Sequence, residues 1–305
     1  MKLLFYLLFI AGCSSAQMNR DPEAMEIVTS DIDNFWKAFD AATPGFDPNI
    51  LEKLYLRAGS PGIDGFMKNR IQNADNLAKI VRDHPKYFST LKASTDSIKL
   101  FREDIKASVR KLKELYPDAV FPPVYFVIGG MNSGGTTSND GLIIGAEMYG
   151  LSPETETEEL TDWLKTVVKP VSQVPHIVAH ELIHYQQRYR AKTLLEQAIK
   201  EGSADFIAEI ISGKHINKHV HDFANPQEAI LWHEFREKMN GEDYSGWLYS
   251  SAEGRPNDLG YWMGYKICKS YYSKSLNKKQ AIYDILTIKD FPDFLEQSGY
   301  KKKFD

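Results

Sequence analysis

The stretch Val174 to Gln187, VPHIVAHELIHYQQ, constrains the chain more than any other. Ile177, Val178, Leu182 and Ile183 recur at the three and four spacing of a helix that buries most of its surface, with Pro175 in the first turn, where proline is tolerated. Among them stand His180, Glu181 and His184. Polar groups buried without partners are costly, so the fold must bring something to satisfy them. On a helix His180 and His184 share a face about one turn, roughly 6 Å, apart. Two imidazoles so placed can hold one metal ion. Glu181 sits about 100° around, where it reaches beside the metal without ligating it.

This is the H-E-x-x-H pattern of zinc peptidases. A catalytic zinc takes three protein ligands and keeps a fourth position for water, so a third ligand is needed on another element. The segment TLLEQAIKEGSADFIAEIISG offers it. Thr193 and Glu196 form a capping box that starts a helix at about Leu194, and Gly213 can end it. Glu201 and Asp205 share a face of that helix. Glu201 is the expected third ligand. Asp205, one turn on, is placed to hydrogen-bond a ligand imidazole and fix its tautomer. The alternative is a pair of solvent-facing acids on an amphipathic helix. Gly202 costs helix stability, and close helix packing is its expected use.

With 305 residues, 26% charged and 12% aromatic, the chain is an ordinary globular protein. A net charge of −4 and scattered lysines and arginines exclude a nucleic-acid surface. The N-terminus, MKLLFYLLFIAGCSSAQ, has the layout of a secretory signal and is too short to span a bilayer. Ile-Ala-Gly-Cys, ending at Cys13, resembles the lipobox of bacterial lipoproteins, which implies removal of residues 1–12, lipidation of Cys13 and anchoring in the bacterial cell envelope, on the periplasmic side or the cell surface. The alternative is an ordinary signal with Cys13 free or disulfide-bonded. Cys268 alone would remain, giving neither a disulfide framework nor a thiolate metal site.

Residues 13–21 read as a tether and 22–305 as a single domain. Ile27 to Tyr116 is helical in pattern, broken by TPGFDP and GSPG. VYFVIGG, Val124 to Gly130, reads as a buried strand, and GLIIGAEMYG as a second that pairs with it in a long-looped antiparallel hairpin. The loop between, GMNSGGTTSND, lacks the ending of a phosphate cradle. Helices dominate again after Glu156. The fold class is therefore α+β, mostly helical with an N-terminal helical part and a small antiparallel sheet.

HELIH followed by EGSAD resembles the gluzincin clan of zinc metallopeptidases. More closely, FWKAFD, LYPDAVFPPVYFVIGG, GLIIGAEMYG, HELIHYQQ, EGSADF and GYWMGYKI resemble predicted zinc-dependent protease lipoproteins related to gliding-motility lipoproteins. The resemblance implies a zincin-like domain with one zinc ion on His180, His184 and Glu201, Glu181 as general base, Asp205 in support, and a peptide or protein substrate. Zinc would polarise the scissile carbonyl and activate water as nucleophile, while Glu181 takes the water's proton and passes it to the leaving amine.

For the oxyanion, GRPNDLGYWMGY offers Arg255, Tyr261 and Tyr265, with Tyr261 preferred. Gly141, Leu142, Ile143 and Ile144 could form the edge to which an extended peptide adds. Glu147 resembles the glutamate with which some aminopeptidases hold a free amine. His215 and His219 in KHINKHVHDF have ligand spacing but no acid between them, and the segment reads as a loop. The competing function is a non-catalytic envelope lipoprotein supporting a gliding or secretion assembly; a zinc hydrolase of non-peptide amides is a third.

Overall fold

The structure, a computed structural model, describes residues 18–249 and 254–304. The signal segment, Cys13 and the start of the tether lie outside the described residues. Helices of seven residues or more are α1 (Ser30–Ala42), α2 (Ala74–Asp83), α3 (Pro85–Asp96), α4 (Arg102–Leu115), α5 (Val174–Gln186), α6 (Leu194–Ser212), α7 (Lys218–Ala224), α8 (Glu228–Lys238), α9 (Leu259–Lys274), α10 (Lys278–Leu286) and α11 (Phe291–Ser298). The strands are β1 (Ile27–Val28), β2 (Val124–Val127), β3 (Gly135–Thr137) and β4 (Leu142–Gly145). The class is α+β, as the sequence implies.

The sheet departs from the expected hairpin. Its order is β1-β2-β4-β3, with β2 parallel to both β1 and β4, and only β3 antiparallel to β4. The glycine-rich loop hides β3, which turns back onto β4 through Ser138 to Gly141, so the hairpin is β3-β4 and β4 slots beside β2 in the same direction. Ile27 and Val28, expected in a helix, instead pair with Val124 and Tyr125. Helix α1 starts only at Ser30.

Burial explains why β2 and β4 are apolar throughout. Tyr125 and Ile143 sit side by side in the register, facing a short helix, Pro61–Phe66, whose Gly62 and Gly65 approach them closely. α5 packs against β3 and β4. Strands covered in this way lose the in-and-out alternation of a half-exposed sheet.

Helix α6 has the expected ends: the Thr193–Glu196 capping box is formed and Gly213 closes the helix at φ 82°. α6 and α9 cross with their backbones in contact at Gly202 and Gly264. A methyl on Gly202 would lie 2.1 Å from the Tyr265 nitrogen, and one on Gly264 would lie 1.7 Å from the Ala198 carbonyl oxygen. That crossing places Glu201 and Asp205 beside α5.

Candidate metal centre

His180 and His184 point the same way from α5, and Glu201 of α6 meets them. His184 Nε2 lies 3.0 Å from His180 Nε2 and 3.0 Å from Glu201 Oε2, and His180 Nε2 lies 3.9 Å from the same oxygen. Among the described residues this is the one group of three potential ligands in which each atom lies within 4.8 Å of the others. Tetrahedral zinc with ligands at about 2.05 Å spaces them about 3.3 Å apart, so these separations bracket what one ion needs.

The far side of each imidazole is fixed. His180 Nδ1 faces Asp205 Oδ1 at 2.8 Å, and His184 Nδ1 faces Gln187 Oε1 at 3.0 Å. The Gln187 amide nitrogen donates to the Lys200 carbonyl (2.7 Å), which can only accept, so its oxygen must be the atom turned to His184. With acceptors at both Nδ1 atoms, both protons belong there and both Nε2 lone pairs face Glu201. Three electron-rich atoms thus converge with no donor between them, an arrangement that a cation satisfies. Without one, a proton substitutes. Burial opposes charge on His184, but the charge and hydrogen bond of Glu201 outweigh it and raise its pKa to about 9. Burial likewise opposes the Glu201 carboxylate, but His184 holds it well below the usual range.

Glu181 is buried, and burial raises its pKa against the pull of His184 and His180. It lies under β3: a methyl on Gly135 would sit 2.6 Å from Glu181 Oε1, and one on Gly134 would sit 2.7 Å from the Tyr149 hydroxyl. The glycines of the loop therefore serve close approach to Glu181 and Tyr149.

The remaining candidates are placed differently. Tyr261 is partly buried, with its ring stacked on His180 at 6.1 Å between centroids. Arg255 does not serve the cluster: its guanidinium pairs with Glu234 and lies over the Trp247 ring. The Tyr265 hydroxyl donates to Glu209 at 2.5 Å. Gly141, Leu142, Ile143 and Ile144 do not form an edge, since β4 is paired on both sides and the edges of the described sheet are β1 and, beyond β4, β3. Gly141 itself abuts the Pro123 carbonyl. Nor is Glu147 open to a ligand. It is fully buried and accepts from the Gly129 and Met131 amides (2.8 and 3.1 Å); burial raises its pKa to about 7 despite those bonds. His219 and His221 lie in α7, not in a loop, and His221 packs on His215.

Two contributors were not foreseen. Gln187 was visible in HELIHYQQ as a polar residue one turn past His184, but Tyr249, whose hydroxyl donates to Glu201 Oε1 at 3.1 Å, lies far along the chain with no local signal.

The sequence profile of the family described as gliding motility protein GldB matches residues 16–239, well over half of the chain. The chain belongs to that family. The match spans all of His180, Glu181, His184, Glu201 and Asp205 and ends before Tyr249 and α9. No curated protein and no solved structure shows a significant match. Membership in this family of gliding-motility lipoproteins fits an envelope-associated protein, and no described helix is long and apolar enough to cross a membrane.

Proposed function

We propose that this gliding-family member is a bacterial envelope lipoprotein, anchored through Cys13, that carries one zinc ion on His180, His184 and Glu201 and hydrolyses peptide bonds. The observation that supports the metal reading most directly is the convergence of two Nε2 atoms and Glu201 Oε2, with both Nδ1 atoms held by acceptors. A zinc ion there supplies Lewis acidity for an attack on a carbonyl by water. Glu181, buried one residue from His180, takes the proton from the attacking water and delivers it to the leaving amine. Asp205 and Gln187 keep the two imidazoles in their orientation. The free side of β3, running past Glu181 at Gly135, is where an extended peptide adds its backbone. Tyr261, stacked on His180, is the remaining candidate to stabilise the oxyanion.

The second reading is a non-catalytic lipoprotein serving a gliding or secretion assembly, and the family match favours it over the peptidase. The two readings separate on one substitution. Glu181→Gln keeps the ligands and the shape of the site. If the peptidase reading holds, the purified protein contains one zinc per chain, cleaves members of a broad peptide library, and loses both cleavage and the ability to complement a deletion strain as Glu181→Gln. Full complementation by Glu181→Gln, with no cleavage by the wild type, leaves only the structural role.

A further inference from the structure

The two oxygens of Glu201 have different surroundings. Oε2 faces the imidazoles, 3.0 Å from His184 Nε2, whereas Oε1 receives the Tyr249 hydroxyl at 3.1 Å and lies 3.6 Å from Lys200 Nζ. Tyr249 reaches this position from an unfavourable backbone. Its φ is 59°, in the left-handed region that costs a bulky side chain, and its amide donates at 2.9 Å to Asp258, itself at φ 66°. Hydrophobic burial does not account for the conformation, because Tyr249 is 60% exposed. The atom placed by that conformation is the hydroxyl. Strain of this kind persists where the surroundings impose it, and it gathers at functional sites.

We infer that Tyr249 is a positioning residue for the metal centre: its hydroxyl engages the outer oxygen of Glu201 and makes Glu201 a one-oxygen ligand. A carboxylate can bind a metal through one oxygen or two. A hydrogen bond to one oxygen favours binding through the other, which leaves the fourth position of a three-ligand zinc open. The inference rests on the metal reading above.

The test is zinc affinity of the purified full-length protein by chelator competition, with cobalt(II) substituted for zinc as a coordination reporter. Tyr249→Phe removes one oxygen atom, and a fall in zinc affinity of about tenfold is expected, at the lower end for loss of an outer partner because Lys200 remains. The visible cobalt absorption should weaken as the second carboxylate oxygen joins the ion. In a Glu201→Gln background the same change should have no further effect. Tyr244→Phe, which removes a neighbouring hydroxyl bonded to the Lys192 carbonyl, should leave affinity unchanged. Tyr249→Phe with wild-type affinity and cobalt spectrum, an equal fall in the Glu201→Gln background, or an equal fall for Tyr244→Phe overturns the inference. A wild-type protein that holds no zinc overturns the metal reading itself, and this inference with it.

Discussion

Substituting Gly264 by alanine tests how the site is held. The added methyl would lie 1.7 Å from the Ala198 carbonyl oxygen and 2.3 Å from its carbon, and both are helix backbone atoms that no rotamer change can move. An ordinary non-bonded contact is about 3.5 Å, so α6 and α9 must part by well over 1 Å. Overpacking that side-chain shifts can relieve costs about 1–3 kcal/mol; here whole helices carrying Ile199, Met263, Ile267 and Cys268, all buried, lose contact, so the expected cost is at or above about 3 kcal/mol. At about 2–4 °C per kcal/mol, the melting temperature falls by roughly 6–12 °C. Glu201 adjoins Gly202 at the same crossing, so zinc affinity should fall along with stability. Gly213→Ala is the control. It makes the same chemical change at φ 82° with nothing within 4 Å, and should cost only about 1 kcal/mol. Thermal melting and chelator competition on both variants decide the matter. A Gly264→Ala protein that melts within 2 °C of wild type and binds zinc as well would refute the reasoning.

The other expectations concern the chemistry. Glu181→Gln should keep its zinc while peptide cleavage drops about 10²- to 10⁴-fold, measured by metal analysis and turnover on the same sample. The metal-free protein should lose stability as pH rises: the folded pKa of His184, about 9, exceeds its ordinary 6.5, so that contribution is complete below about pH 6.5 and gone above about 9. Glu201, depressed in the fold, gives stability present above its ordinary 4.5 and lost in acid. Zinc displaces the His184 proton, so zinc affinity should instead climb about tenfold per pH unit up to pH 9; a flat profile between pH 7 and 9 would contradict the proton's place on that ring. Gly135→Ala would place a methyl 2.6 Å from Glu181 Oε1 and 2.8 Å from its Cγ, so the whole buried side chain must shift; it should cost about 1–3 kcal/mol in a denaturant titration and keep its zinc, yet impair cleavage. Equal cleavage would detach β3 from the site.

What the sequence made legible follows from range. His180, Glu181 and His184 obey helix periodicity, and the capping box of Thr193 and Glu196 sets the phase of α6, so the shared face of Glu201 and Asp205 was calculable from local rules. Strand pairing has no such rule. β1 is two residues long, and β3, Gly-Thr-Thr, shows neither alternation nor an apolar run, so its theft of the hairpin from β2 left no trace. With β3 silent in the sequence, β4 reads as an edge and Glu147 as an open carboxylate, whereas the turn that follows β4 buries Glu147 under the Gly129 and Met131 amides. Glycine is the signal that reports such contacts: Gly202 is legible as a close-packing site, and Gly134, Gly135 and Gly264 carry the same information. Gly134, Gly135, Gly202 and Gly264 each stand where a methyl would collide with Tyr149, Glu181, α9 or α6, so they mark where elements distant in sequence must touch. Tyr249 shows the limit of that approach. Its role depends on a left-handed backbone 48 residues beyond Glu201, a conformation that its own residue type disfavours and that only the assembled neighbours impose.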